Sequence, residues 1–180
     1  VELFDGRGTV ATAVIGQITK ISITFDVREV KKFNHPTAGR IIICVSVAKG
    51  QRFDWLAGKC TELGVDRIVP VIFERTVKFG GSDIAVERYN RIAIESSKQC
   101  GRIFLPQIEH PTKFEHALNI LSQDYPQGIF LFGSPDKNAK PIHQIFEPQK
   151  DYVCFIGPEG GFSDNEIGLL ADNNAVAVKL

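Results

Sequence analysis

The segment Gly157-Pro158-Glu159-Gly160-Gly161 concentrates three glycines and one proline in five residues. It follows the apolar run Tyr152–Ile156 and precedes Ser163-Asp-Asn-Glu166, the S-x-x-E pattern of a helix capping box. Glycine-rich backbone reaches conformations closed to residues with a Cβ, and it lets a ligand approach the main chain. In α/β sheets, ligands bind where strands end and helices begin, against exposed backbone N–H groups. The chemistry expected here is capture of a small molecule, the plainer alternative being a simple strand–turn–helix corner. The loop is not G-x-G-x-x-G, and no G-x-x-x-x-G-K-[ST] occurs in the chain, which disfavours ordinary dinucleotide and P-loop nucleotide sites. A second apolar run, Ile129–Phe132, ends in Gly133-Ser134-Pro135. Two such strand ends side by side would form one pocket, whereas alone this is an ordinary turn.

The cationic candidates lie earlier in the chain. Lys49-Gly-Gln-Arg52, Lys59-Cys-Thr-Glu-Leu-Gly-Val65, Glu74-Arg75-Thr76 and Lys98-Gln-Cys-Gly-Arg102 hold most of them. Arg75 follows a strand and Arg102 follows a helix stop, loop positions that favour function over a solvated helix face. Lys59 and Glu62 are spaced to pair with each other on one helix. His35, His110, His116 and His143 show no Ser, Cys or Asp partner pattern, so a hydrolase triad has no support. Cys44, Cys60, Cys100 and Cys154 form no C-x-x-C pair, which argues against a metal site or redox motif and for reduced thiols.

Composition sets the outer bounds. The 180 residues are 43% hydrophobic and 23% charged, with a formal net charge of +0, as for a globular domain. The neutral total conceals a split. Residues 1–102 carry 16 Lys+Arg against 11 Asp+Glu, and residues 103–180 carry 5 against 10. All nine arginines lie at or before Arg102, and arginine is the side chain best suited to phosphate and base contacts. No apolar run approaches the roughly 20 residues of a membrane helix, and no leader pattern opens the chain. A soluble, cytoplasmic protein is the expectation.

These residues must be held by two kinds of element. Residues 1–30 read as antiparallel β: Val1–Phe4, the turn Asp5-Gly6, Val10–Ile15, and an alternation at Ile21, Ile23, Phe25 and Val27 that predicts a half-buried strand. Asn34–Gly39 reads as a linker. Beyond it, strands alternate with helices, which predicts a mainly parallel α/β sheet. Strands are expected at 40–47, 67–73 (its Pro70 suggesting an edge position or an early end), 128–133, 152–156 and 175–180. Helices are expected over about 12–15 residues after the first of these strands, and at 86–100, 112–123 and 163–172. The first would bury Phe53, Leu56, Ala57, Cys60 and Leu63 and stop at Gly64.

Taken in order and spacing, Lys49-Gly-Gln-Arg52, Lys59-x-x-Glu-Leu-Gly-Val65, Glu74-Arg75, Gln99-Cys-Gly-Arg102 and Ile156-Gly-Pro-Glu-Gly-Gly161 resemble the bacterial 16S ribosomal RNA uracil-N3 methyltransferases of the SPOUT class. The resemblance implies a SPOUT-type parallel sheet with a C-terminal trefoil knot, preceded by part of a PUA-like β-barrel. The barrel part would be residues 1–36 and the methyltransferase domain residues 37–180. It implies S-adenosylmethionine as cofactor, no metal, a homodimer, and 16S rRNA of the small ribosomal subunit as partner. The cofactor would be held by the backbone of Leu131, Phe132 and Gly133, of Ile156, Gly157, Pro158, Glu159, Gly160 and Gly161, and of a third loop that begins at Leu180. Further barrel strands and the rest of the knot are expected outside this sequence. Lys49, Arg52, Arg75 and Arg102 are the candidate RNA contacts. Arg102, Arg75 and Glu62 are the catalytic candidates. A non-catalytic RNA-binding or ribosome-assembly module, and a SPOUT enzyme for another RNA target, are the alternatives.

Overall fold

An Asp-Gly turn opens the structure, a computed structural model that describes residues 1–47, 51–77, 83–137 and 139–179. Strand β1 (Glu2–Phe4) pairs antiparallel with β2 (Thr9–Ile18). Between them the Asp5 carboxylate accepts the amides of Arg7 at 2.7 Å and Thr9 at 3.0 Å. Those donors stabilise its charged form and pull its pKa below the usual carboxylate value. Strand β3 (Ile23–Lys32) pairs antiparallel with β2 through two register shifts. The alternation of β3 predicts a half-buried strand, but Ile23, Phe25 and Val27 are 51%, 38% and 55% exposed. Their period is that of a strand; no second layer covers that face among the described residues.

The larger sheet is parallel throughout. Its elements run β4 (Ile41–Ser46), α1 (Gln51–Leu63), β5 (Arg67–Ile72), α2 (Asp83–Cys100), β6 (Gln107–Ile108), β7 (Thr112–Lys113), α3 (Phe114–Asp124), β8 (Ile129–Gly133), β9 (Lys140–Pro141), β10 (Tyr152–Ile156), α4 (Asp164–Asp172) and β11 (Val176–Lys179). The spatial order is β6-β5-β4-β10-β8-β11-β9, with β7 also on β5. This is the parallel α/β architecture expected from the alternating text. Helices α3 and α4 cover one face around Phe114, Leu121, Phe155 and Leu170. Helices α1 and α2 cover the other around Phe53, Ala57, Ile68 and Tyr89. The last described strand, β11, enters between β8 and β9; the trefoil knot expected from the resemblance is not seen among the described residues.

Three local expectations change. Pro70 is not on an edge strand, but β6 pairs only with Arg67 and Ile68, and β7 only with Val71 and Ile72. Pro70 falls in the gap between these two short neighbours, where its missing N–H leaves no ladder bond unmade on that side. Leu63 is 76% exposed, not part of the buried stripe. At 3.6 residues per turn it lies about 80° around the helix from Phe53. The third helix begins at Phe114, because Thr112 and Lys113 are taken by pairing with β5. The two sheets join through the amide of Gly8 on the Ile103 carbonyl at 3.2 Å and that of Leu105 on the Gly6 carbonyl at 3.0 Å.

Candidate functional site

Strand β10 runs between β4 and β8, with Phe155 opposite both Cys44 and Phe132 and Ile156 opposite Val45. The loop Gly157–Gly161 therefore leaves the middle of the sheet at its carboxyl edge, between the ends of β8 and β4. Its exit is set by the predicted capping box. Ser163 Oγ accepts the Glu166 amide at 3.3 Å, and Glu166 Oε2 accepts the Ser163 amide at 2.8 Å. Beneath the loop, the Phe162 ring packs edge-on against Phe73 and Phe132, with centroids 5.3 Å and 5.8 Å away. A Cβ at Gly157 would stand 3.1 Å from that ring, a tight contact that the ring would have to yield to. Gly161 has φ 72°, and a Cβ there would meet nothing within 4 Å. The backbone at that end of the loop opens onto free space.

On the β4 side, the loop walls a cavity of about 340 Å³. Val45, Ser46 and Val47 at the end of β4 form its floor, Gly157–Gly160 one side, and Arg52 and Arg75 its rim. Arg75 Nη1 donates to the Gly160 carbonyl at 2.9 Å. Arg52, in the first turn of α1, pairs with Glu159 across the opening. Both partners of that pair are largely exposed, so it contributes little to stability. The Ser46 and Thr76 hydroxyls are 3.2 Å apart, and Thr76 Oγ1 accepts the Phe73 amide at 2.8 Å, which fixes the turn carrying Arg75. Ser46 escaped the sequence reading. Its signal is its place at the carboxyl end of the central strand, just before the basic sequence Lys49-Gly-Gln-Arg52.

The expected neighbours β8 and β10 do lie side by side, yet the cavity opens on the opposite flank of β10. Leu131 and Phe132 are 1% and 8% exposed, their side chains spent in the core. They and Gly133 can offer a ligand main-chain groups only. Lys49 and Leu180 fall outside the described residues.

Arg102 and Glu62 are not brought to this site within this chain. Helix α1 starts at the carboxyl edge of the sheet and runs back to the amino edge. From Arg52 to Glu62 it covers about 15 Å at 1.5 Å per residue. Arg102 Nε donates to the Glu62 carbonyl at 3.2 Å, and its guanidinium lies over Gly64, where a Cβ would stand 2.3 Å from it. Gly64 has φ 82°, so the residue that ends α1 is also the one that makes room for Arg102. The Glu62 carboxylate pairs with Lys59 at 2.7 Å, the helical pair anticipated from their spacing.

The same amino edge holds the other fixed charges. Arg40 donates to Asp151 Oδ2 from Nε at 3.1 Å and from Nη2 at 2.5 Å, and its amide donates to Oδ1 at 2.9 Å. These bonds hold the Asp151 carboxyl below its usual pKa. Arg67 bridges Glu109 at 2.9 Å and Asp124 at 2.6 Å. Among the described residues, no group of three His, Cys, Asp or Glu side chains could hold a metal ion, and no helix is long and apolar enough to cross a membrane.

The family model of the RNA methyltransferase domain matches residues 35–180. The chain belongs to this family. It is 29% identical over 132 residues to the ribosomal RNA small subunit methyltransferase E of Synechocystis, a match that covers 72% of this chain and 43% of that protein. Its structure matches that of the ribosomal RNA small subunit methyltransferase E of Neisseria gonorrhoeae bound to S-adenosyl methionine, with a TM-score of 0.87 and 27% identity, over 100% of this chain and 73% of that one. A probable rRNA methyltransferase from Porphyromonas gingivalis matches with a TM-score of 0.87 and 26% identity, over 99% and 74%. The chain spans about half the length of the curated relatives first matched, 43% and 59%. The SPOUT-type sheet implied by the motifs is thus the fold described above, and its antiparallel partner fits part of a PUA-like barrel.

Proposed function

We propose that this chain is the catalytic part of an enzyme that methylates N3 of a uridine in small-subunit ribosomal RNA, with S-adenosylmethionine as methyl donor. One observation carries the reading: the Gly157–Gly161 loop walls an arginine-rimmed cavity, and its Gly161 end presents backbone to open space. A neutral nucleoside would be held by main-chain groups of this loop, open to solvent at Gly161, together with those of Gly133, Ile156 and Gly157. Leu131, Phe132, Pro158, Glu159 and Gly160 would complete that site. S-adenosylmethionine, when bound, supplies a methyl group already activated on a sulfonium, so positioning dominates the catalysis.

The chain's own residues then have two tasks on the cavity side. Uracil N3 bears a proton and becomes nucleophilic as that proton passes to solvent water, while negative charge spreads onto the flanking carbonyl oxygens. Arg75 spends one N–H on Gly160. Its remaining donors can face those oxygens and stabilise the charge. Arg52 is exposed and can exchange Glu159 for an RNA phosphate. Lys49 would add a further phosphate contact. Arg102 and Glu62 fit this reading only if a homodimer brings one protomer's amino edge to the other's cavity. An RNA substrate of this kind implies a cytoplasmic enzyme.

The test is mass spectrometry of small-subunit RNA from a strain lacking the gene. Loss of one 3-methyluridine, restored by the complete protein, is expected. An unchanged modification profile contradicts the reading and favours a non-catalytic RNA-binding module. Loss of a methyl group from a different nucleoside would make it an enzyme for another RNA target.

A further inference from the structure

Glu166 is 3% exposed, an unusual place for a carboxylate on the first turn of a helix. The capping box accounts for only one of its oxygens. Oε2 accepts the Ser163 amide at 2.8 Å, and Oε1 accepts the amide of Glu74 at 2.8 Å. Glu74 lies 92 residues away in sequence, in the turn after β5, immediately before Arg75. Two further contacts join the same pieces: Arg75 Nη1 on the Gly160 carbonyl, and Phe73 against Phe162. The turn that carries the rim arginine and the glycine loop are thus fastened by Glu166, by an aromatic pair and by a guanidinium. An ordinary cap needs neither deep burial nor a second acceptor aimed at a distant strand.

We infer that Glu166 is a positioning residue that locks the Glu74–Arg75 turn to the Gly157–Gly161 loop, so that the RNA-facing arginine and the cofactor-facing backbone hold one fixed spacing. A carboxylate suits this task because each of its oxygens accepts one buried amide, whereas the corresponding amide side chain has a single acceptor oxygen and would point a donor at the other N–H. The link to RNA rests on the proposed function; the lock itself does not.

The experiment is hydrogen exchange of the complete protein without ligands, with Glu166→Ala, Glu166→Gln and Ser163→Ala compared to the parent. Ser163→Ala removes the other half of the cap and leaves the Glu74 bond untouched. The Glu74 amide is expected to exchange at least about tenfold faster in Glu166→Ala, as suits loss of a buried bond to a charged acceptor, and to keep its protection in Ser163→Ala. Glu166→Gln retains the helix former and most of the volume. It must speed exchange at Glu74 or Ser163, and it serves alone if the alanine variant does not fold. In methylation assays, KM for RNA should rise in the Glu166 variants and stay within about twofold in Ser163→Ala. Unchanged exchange at Glu74 in Glu166→Ala, unchanged exchange at both Glu74 and Ser163 in Glu166→Gln, or equal loss at Glu74 in Ser163→Ala, would overturn the lock. Faster exchange without any change in KM would keep the lock and instead remove Arg75 from the RNA side.

Discussion

The two edges of the parallel sheet use the same charged residue types in opposite ways. At the amino edge, Arg40, Arg67 and Arg102 are tied down: to Asp151, to Glu109 and Asp124, and to the carbonyl that ends α1. At the carboxyl edge, Arg52 and Arg75 stand on the rim of a cavity, each with one partner that belongs to the glycine loop. A guanidinium paired with carboxylates such as Asp151 or Glu109, as at Arg40 and Arg67, builds the fold, whereas Arg102 is exposed and, among the described residues, bonds only a carbonyl. A guanidinium that keeps donors free at a cavity is available to a ligand. Position on a loop, which the sequence reading used to rank Arg75 and Arg102 together, does not separate these cases. The edge of the sheet on which each lies does.

The contrast breaks most visibly at Arg75. Arg75→Ala should cut methyl transfer at saturating RNA by about 100-fold, the scale of a lost charge-stabilising donor. Its melting temperature should stay within a few degrees, because the bond it loses is exposed. Gly157→Val attacks the other flank. Its side chain must displace the Phe162 ring, at a stability cost of about 1–3 kcal/mol, and calorimetry should show S-adenosylmethionine binding weakened by about tenfold or more.

The amino edge should respond in stability alone. Asp151→Asn is expected to cost about 2 kcal/mol at neutral pH, measured by urea unfolding, through loss of charge-assisted bonds to Arg40. Because the folded carboxyl has a lowered pKa, its contribution is present above the ordinary value of 3.8 and lost as pH falls through the folded one. The difference between parent and variant should therefore shrink below about pH 4. A difference constant from pH 7 to pH 2 would contradict the assignment. The smallest effect should be that of Arg102→Ala, about 1 kcal/mol for removal of a helix C-terminal contact.

Much of the layout was legible in the sequence. The glycine loop, its capping box and the order of strands and helices announce themselves through local rules: backbone freedom, an S-x-x-E cap and apolar period. Other features depend on distant chain and could not be read this way. The cavity flank is decided by which strand lies beside β10, and the text gave no reason to choose β4 over β8. Glu166 reads as a cap; its second acceptor becomes visible only when the turn after β5 is folded against α4. Arg102 looks like a loop arginine until Gly64 is seen to make room for its guanidinium.

The most direct test sets the two edges against each other in one assay. The turnover numbers of Arg75→Ala and Arg102→Ala are measured on small-subunit RNA with saturating S-adenosylmethionine, in the complete protein. The difference in surroundings predicts a loss for Arg75→Ala at least about thirtyfold greater than that for Arg102→Ala, which should stay within about threefold of the parent. Equal losses, or a greater loss at Arg102, would contradict the assignment of the chemistry to the carboxyl edge of a single protomer.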